Sequence, residues 1–87
     1  MNIIKRHSTA VCDENGDLHT LTLKLTEKDG IYGFECSLVP AAQYAKDHNI
    51  TDSKAAALDI FDILCKEKVL PLNFYAVLDD MSDLYTI

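Results

Sequence analysis

The dipeptide Asp29-Gly30 is the feature that most constrains the fold of this chain. It separates two segments in which apolar and polar residues alternate, and Asp-Gly suits the positive φ angles of a two-residue type I′ turn. With these two residues as the loop, one face of the hairpin collects the apolar residues Leu21, Leu23, Leu25, Phe34, Cys36 and Leu38. A shift of one residue would turn a whole strand over, so the register is strongly specified. The sequence predicts a β-hairpin with strands at about 18–26 and 31–38.

A further strand is predicted over about 2–12, and its register depends on the turn around Gly16. Two turn geometries fit the sequence. A two-residue loop places Ala10 opposite Leu21, whereas a three-residue loop with Gly16 in the left-handed conformation places Thr9 opposite Leu21. The sequence is compatible with both registers.

The predicted sheet has three or four strands. The first is expected to be an edge strand, because Lys5, Arg6 and His7 discourage pairing with a foreign strand. Pro40 ends the third strand, and residues 43–48 after it fit a loop, a helical turn or a short edge strand.

Two amphipathic helices follow the sheet. Thr51 can cap the first helix, predicted over about 52–68, and its apolar arc is about 220° wide. Pro71 interrupts the pattern, and a second helix is predicted over about 72–82. We therefore expect one α+β domain over 1–87, in which an antiparallel sheet of three to four strands, a meander at the N-terminus, carries two C-terminal helices on one face.

Candidate interaction residues come from the helices and from the segment after the third strand. Leu58 and Ile63 lie on the flanks of the wide apolar arc of the first helix, which one sheet face cannot cover. Tyr44, Tyr75 and Tyr85 lie outside the predicted core, and aromatic residues are enriched in protein interfaces. If the second helix is too short to cover the arc, a homodimer interface would do so.

Charge and cysteine content limit the partners and the compartment. The chain has 14 acidic and 8 basic residues, a net charge of −6, which disfavours nucleic acid and anionic membranes as partners. Its three cysteines are widely spaced, as is typical of free thiols in a reducing compartment. The N-terminal segment has no signal-peptide core. We expect a cytoplasmic protein that binds no cofactor and whose partner is another protein or a second copy of itself.

Two groups of residues are weak candidates for chemistry. In the two-residue-loop register Cys12 lies opposite His19, where a thiolate and an imidazole could form an activated nucleophile. Asp79, Asp80 and Asp83 resemble the aspartate-rich magnesium motif of isoprenoid synthases. Those enzymes need a large helical cavity, so a solvated helix face is the favoured interpretation, with no metal bound.

The order and spacing of several short motifs in residues 31–84 resemble a family of small domain-of-unknown-function proteins from low-GC Gram-positive bacteria. The motifs are Tyr32-Gly33-Phe34, Ile50-Thr51-Asp52-Ser53, Val69-x-Pro71-Leu72 and Val77-Leu78-Asp79-Asp80-Met81. The resemblance implies no activity, cofactor or substrate, because the family is uncharacterised.

Three functions are compatible with these observations. The sequence favours a small interaction or regulatory module without catalysis, because it carries no recognisable catalytic set. The alternatives are a thiol-dependent enzyme using Cys12 and His19, and a small-ligand-binding domain with its pocket between sheet and helices beneath Phe61 and Phe74.

Overall fold

A four-stranded antiparallel sheet occupies the N-terminal part of the computed structural model, which describes the backbone of residues 1–85 and the side chains of residues 1–81. The strands pair in chain order and are β1 (Asn2–Cys12), β2 (Leu18–Lys28), β3 (Ile31–Val39) and β4 (Gln43–Thr51). The predicted α+β class is confirmed. Of the three structures considered for residues 43–48, the edge strand is the one that forms.

The β2–β3 hairpin has the predicted register. Leu21 pairs with Leu38 and Leu23 with Cys36, so that the apolar side chains share one face. Asp29 and Gly30 have φ angles of 54° and 82°, as a type I′ turn requires. We call this side of the sheet the core face and the other side the open face.

The β1–β2 connection adopts the three-residue-loop register, with Thr9 opposite Leu21. The Asp13 N–H donates to the Asp17 carbonyl oxygen at 3.0 Å, and Gly16 between them has a φ of 83°. The alternative that places Ala10 opposite Leu21 does not form.

The two helices are α1 (Lys54–Lys66) and α2 (Phe74–Tyr85), and both begin later than predicted. The N-cap of α1 is Ser53, whose hydroxyl oxygen accepts a hydrogen bond from the Ala56 N–H at 3.2 Å. Thr51, the predicted cap, is instead the last residue of β4.

The core lies between the core face and the two helices. It joins the leucines of β2 and the apolar side chains of β3 to buried residues of α1 and α2, namely Ala57, Ile60, Phe61, Leu64, Phe74, Leu78 and Met81. Leu58 and Ile63 are half-buried and pack against this cluster. The wide arc of α1 is therefore largely covered within one chain, and Phe61 and Phe74 are themselves buried in this core.

Candidate functional site

Three connections meet at one end of the sheet and line an open cavity of about 550 Å³, which we call the loop-end cavity. They are the β1–β2 turn, the β3–β4 turn and the α1–α2 connection. The apolar part of the lining comes from Val11, Leu38, Ala41, Leu70 and Leu72. The polar part comes from Cys12, Asp13, Glu14, His19, Gln43 and Lys68. Its volume lies in the range of natural ligand pockets.

The Asp13 carboxylate organises the β1–β2 side of the cavity. Its Oδ1 accepts hydrogen bonds from the N–H groups of Asn15 and Asp17, each at 2.9 Å, which fixes the turn. Its Oδ2 lies 2.9 Å from Nε2 of His19. The hydrogen bond with His19 and then that from the Asp17 N–H hold the pKa of Asp13 below its ordinary value, so the group is ionised near neutral pH.

The ionised partner determines the tautomer of His19. A carboxylate only accepts, so His19 Nε2 carries the proton and donates it to Asp13. In the neutral ring Nδ1 is then a bare acceptor, and this buried atom has no hydrogen-bond partner in the described part of the chain. A buried acceptor without a donor costs roughly 1–3 kcal/mol.

Gln43 supplies a second unsatisfied acceptor to the residues that line the cavity. Its side-chain oxygen Oε1 is buried, and nothing within residues 1–81 donates a hydrogen bond to it. Gln43 pairs with Leu38, and Leu38 pairs with Leu21, two residues after His19 on the same face of β2. Strands β2 and β4, with β3 between them, thus each place one buried polar atom without a described hydrogen-bond partner at the same end of the core face.

The structure does not join Cys12 and His19 as a hydrogen-bonded pair. The register pairs Cys12 with Leu18 and Val11 with His19, because the two-residue loop does not form. Both residues line the cavity, but Nε2 of His19 is bonded to Asp13 and Nδ1 has no hydrogen-bond partner among the described residues. Cys12 remains an exposed free thiol beside the cavity.

Exposed apolar side chains lie at the same end of the sheet as the cavity, one in the cavity lining and two on the open face. Leu72, 78% exposed, lines it directly, and Leu18, 67% exposed, pairs with the lining residue Cys12. Val39, 53% exposed, follows Leu38 and pairs with Thr20, which lies next to Leu18 on the open face. We call Leu18, Val39 and Leu72 the apolar rim. Large exposed side chains concentrated in this way mark contact surfaces more often than scattered ones do.

The predicted interaction residues lie elsewhere. The Tyr44 hydroxyl donates to Glu35 Oε1 at 3.0 Å, and the Tyr75 hydroxyl contacts the backbone of Lys46. Tyr44 therefore links β4 to β3, and Tyr75 links α2 to β4. The side chain of Tyr85 lies outside the described residues. Leu58 and Ile63 lie among the partly buried residues of α1, as described above.

The three aspartates of α2 are not brought together as a described site. Asp79 and Asp80 are exposed, and the side chain of Asp83 lies outside the described residues. Among the residues that the structure describes, no three His, Cys, Asp or Glu side chains are placed to hold a metal ion. Within the same residues no helix is long and apolar enough to cross a membrane.

A separate polar cluster lies on the open face, away from the cavity. Glu35 contacts Tyr44 through Oε1, and its Oε2 lies 2.7 Å from Nε2 of His48. Partial burial raises the pKa of Glu35, but the hydrogen bonds from His48 and Tyr44 outweigh this effect and leave the pKa below its ordinary value. The cluster ties β4 to β3.

A comparison with models of protein families matches most of the chain. A family model described as a family of unknown function, DUF6514, matches residues 4–84. The chain belongs to this family. The DUF6514 match covers nearly all of the sheet and of the two helices and every residue that lines the loop-end cavity, and it confirms the resemblance to a small uncharacterised family. No curated protein and no solved structure matches the chain.

Sequence reasoning did not find Gln43 or Lys68 as residues of the site. Gln43 lies in the segment whose structure the sequence left open, and Lys68 lies beyond the end of α1 with a φ of 49°. For His19 the signal was the alternation along β2, which places it on the same face as Leu21 in either register of β1.

Proposed function

We propose that this DUF6514 protein is a protein-interaction module without catalysis, and that its docking surface is the loop-end cavity with its apolar rim. The observation that supports this most is a cavity of about 550 Å³ that has the exposed Leu72 in its lining and the exposed Leu18 and Val39 at the same end of the sheet. An apolar anchor in a pocket, surrounded by side chains that exclude water, is the usual energetic centre of a protein interface.

The arrangement of the polar groups supports binding over catalysis. His19 is held by Asp13 through Nε2, and Cys12 is not hydrogen-bonded to the ring. A thiol-dependent enzyme needs a base in contact with the nucleophile. The cavity therefore provides a concave surface with hydrogen-bonding groups for a partner. A thiol-dependent reaction would need a hydrogen bond between Cys12 and His19, which they do not make.

The expected partner is a protein rather than a polyanion. The net charge is −6, and the turn at the cavity carries Asp13, Glu14 and Asp17 without a basic residue. We infer a bacterial cytoplasmic setting from the family resemblance and from the three free cysteines. A second copy of the chain is one partner that this surface admits, and the mass from light scattering at tens of micromolar distinguishes a homodimer from a monomer.

Capture from a lysate of the native host with matched variants tests the proposal. Leu18→Glu/Leu72→Glu places charges on the apolar rim, and Ile3→Glu/Ile4→Glu places them on exposed apolar residues at the other end of β1. We expect the wild type and the Ile3/Ile4 variant to retain the same partner and the rim variant to lose it. Equal capture by all three proteins, loss of the partner with Ile3→Glu/Ile4→Glu, or no specific partner of the wild type would contradict the proposal. Thermal melting checks that each variant folds.

A small molecule is the second candidate occupant of the cavity. The volume of the cavity supports it, because drug-sized ligands occupy pockets of about 300–1,000 Å³. Native mass spectrometry of protein purified from the host distinguishes the two. A bound metabolite that disappears with Leu38→Trp, a substitution that fills the cavity, would favour this function over protein docking.

A further inference from the structure

The open face of the sheet carries a charge opposite to that of the whole chain. Four charged residues occupy open-face positions of β1–β4, and they form one row across the sheet: Arg6 on β1, Lys24 on β2, Glu35 on β3 and Lys46 on β4. Three of the four are basic, although the chain has 14 acidic and 8 basic residues. The open face is therefore a basic surface on an acidic protein.

Arg6 and Lys24, which we call the cation pair, lie directly opposite one another on neighbouring strands. Like charges in this position repel and destabilise a sheet. Glu35 is next in the row and attracts Lys24, but its two oxygens are hydrogen-bonded to Tyr44 and His48. Among residues 1–81 no carboxylate forms an ion pair with Arg6 or Lys24. An anion bound at the cation pair would therefore remove a repulsion that the described residues leave in place.

Hydroxyl groups lie beside the cation pair. Ser8 and Thr22 are opposite one another in the next row toward the loop end, and their oxygens are 3.0 Å apart. One of the two hydroxyls donates to the other, whose own proton is then available to a further acceptor. Two cations and a hydroxyl donor on one face are a set of groups that carboxylate oxygens accept from.

The cation pair lies on the same face as part of the proposed docking surface. Leu18 and Val39 of the apolar rim occupy open-face positions, as Lys24 does. Lys24 follows Leu18 by six residues on β2, which is about 20 Å along the strand. A partner segment that is anchored at the rim and extended along the open face therefore reaches the cation pair after about six residues.

We propose that the partner docks along the open face from the apolar rim to the cation pair, and that its aspartate or glutamate side chains bind Arg6 and Lys24. This inference rests on the proposed docking function and names the chemistry of the partner. Arginine binds a carboxylate through two parallel hydrogen bonds, which adds specificity to the attraction of charges. A protein segment places its carboxylates at the cation pair alone.

The same charges disfavour a nucleic acid on this face. Its phosphates recur along the whole strand, so those near the loop end would meet the acidic turn that contains Asp13, Glu14 and Asp17. An acidic protein segment avoids this repulsion because its rim end is apolar.

Titration of the ¹⁵N-labelled protein with an N-acetylated hexaglutamate amide tests the inference, with the hexaglutamine peptide as the neutral control. We expect hexaglutamate to shift the amide signals of Arg6 and Lys24, and hexaglutamine to bind about tenfold more weakly or less. Arg6→Gln/Lys24→Gln should weaken hexaglutamate binding about tenfold or more. Lys54→Gln/Lys66→Gln removes the same charge from exposed positions of α1 and should weaken it less than about threefold.

Several outcomes of the titration overturn the inference. They are equal binding of the two peptides, equal losses in the two charge variants, and shifts confined to residues away from the cation pair. Tighter binding of a ten-nucleotide oligothymidylate than of hexaglutamate would assign the face to nucleic acid and overturn it as well. Thermal melting checks that the variants fold. Arg6 is exposed, so Arg6→Gln alone, with an expected loss of about threefold or more, decides the question if the double variant does not fold.

Capture from the host lysate with the same variants separates this inference from the docking function. We expect Arg6→Gln/Lys24→Gln to lose the partner that the wild type and Lys54→Gln/Lys66→Gln retain. If the rim variant loses the partner while the cation-pair variant retains it, the docking function stands and the acidic-segment inference fails. If the rim variant retains the partner, the docking function itself fails.

Discussion

The hydroxyl group of Tyr75 contacts both backbone polar groups of Lys46, donating to the carbonyl oxygen at 3.0 Å and accepting from the N–H at 3.3 Å. Lys46 lies in the edge strand β4, whose outer backbone groups face no other strand among residues 1–85. One side chain of α2 therefore satisfies a donor and an acceptor of the sheet edge and protects it from pairing with another strand.

Tyr75→Phe should lower the free energy of unfolding by about 0.5–1.5 kcal/mol per lost hydrogen bond, because both contacts with Lys46 are removed. Urea denaturation measures this loss, and hydrogen exchange at the Lys46 amide should become faster. Tyr44→Phe is the matched control, since that hydroxyl bonds to Glu35 and does not contact Lys46. An unchanged exchange rate at Lys46 in Tyr75→Phe would show that the Tyr75 hydroxyl does not protect the backbone of the edge strand β4.

Gly33→Ala should destabilise the fold by about 3 kcal/mol or more, because overpacking against backbone leaves no side chain to move aside. A Cβ at this position would overlap the Asp47 carbonyl oxygen and the His48 Cα, where β4 crosses close to β3. Gly30→Ala is the control. It meets nothing in space and suffers only from its positive φ, a loss of about 1 kcal/mol. Thermal and urea unfolding give both values, and equal losses would refute the close approach at Gly33.

The three thiols should differ widely in their reaction with iodoacetamide. Cys12 is exposed, Cys65 is half-buried, and Cys36 is buried with its thiol donating to the Val69 carbonyl oxygen at 3.3 Å. Burial raises the pKa of Cys36 to about 12 and leaves little thiolate at neutral pH. Mass spectrometry of the folded protein should find Cys12 alkylated first, Cys65 later and Cys36 only after unfolding in urea. Early alkylation of Cys36 would contradict the packing of β3 against the α1–α2 connection.

Stability should fall on acidification through the Glu35 cluster. The folded pKa of Glu35 lies below its ordinary value, so its contribution is complete above the unfolded pKa and is lost as the pH falls through the folded pKa. The loss is expected on acidification from about pH 5 downward, given an ordinary glutamate pKa near 4.3 and a lower one in the folded protein. The urea midpoint of the wild type should drop over this range, and that of Glu35→Gln should drop less. Parallel curves for the two proteins would remove Glu35 as the cause.

Much of the sheet could be predicted because one hairpin register places the apolar residues of β2 and β3 on one face, and Leu23 opposite Cys36 follows directly from it. The register of β1 was ambiguous, since neither of its faces is apolar, and hydrogen bonds to the Asp13 carboxylate decide it. Strand β4 contains four consecutive polar residues, so it does not show the alternation of apolar and polar residues that predicts a strand. These residues are Lys46, Asp47, His48 and Asn49. A cavity made by three connections far apart in the chain leaves no periodic signal, so its lining could not be predicted.

Photocrosslinking in the native host tests the docking surface most directly. In one protein the photoreactive amino acid p-benzoylphenylalanine replaces Leu72 of the apolar rim. In a second protein it replaces Ile3, which lies at the end of β1 that is far from the β1–β2 turn. We expect a covalent adduct with a partner protein from position 72 and none from position 3. Equal adducts from both positions, or an adduct from position 3 alone, would contradict the claim that the loop end is where this protein binds its partner.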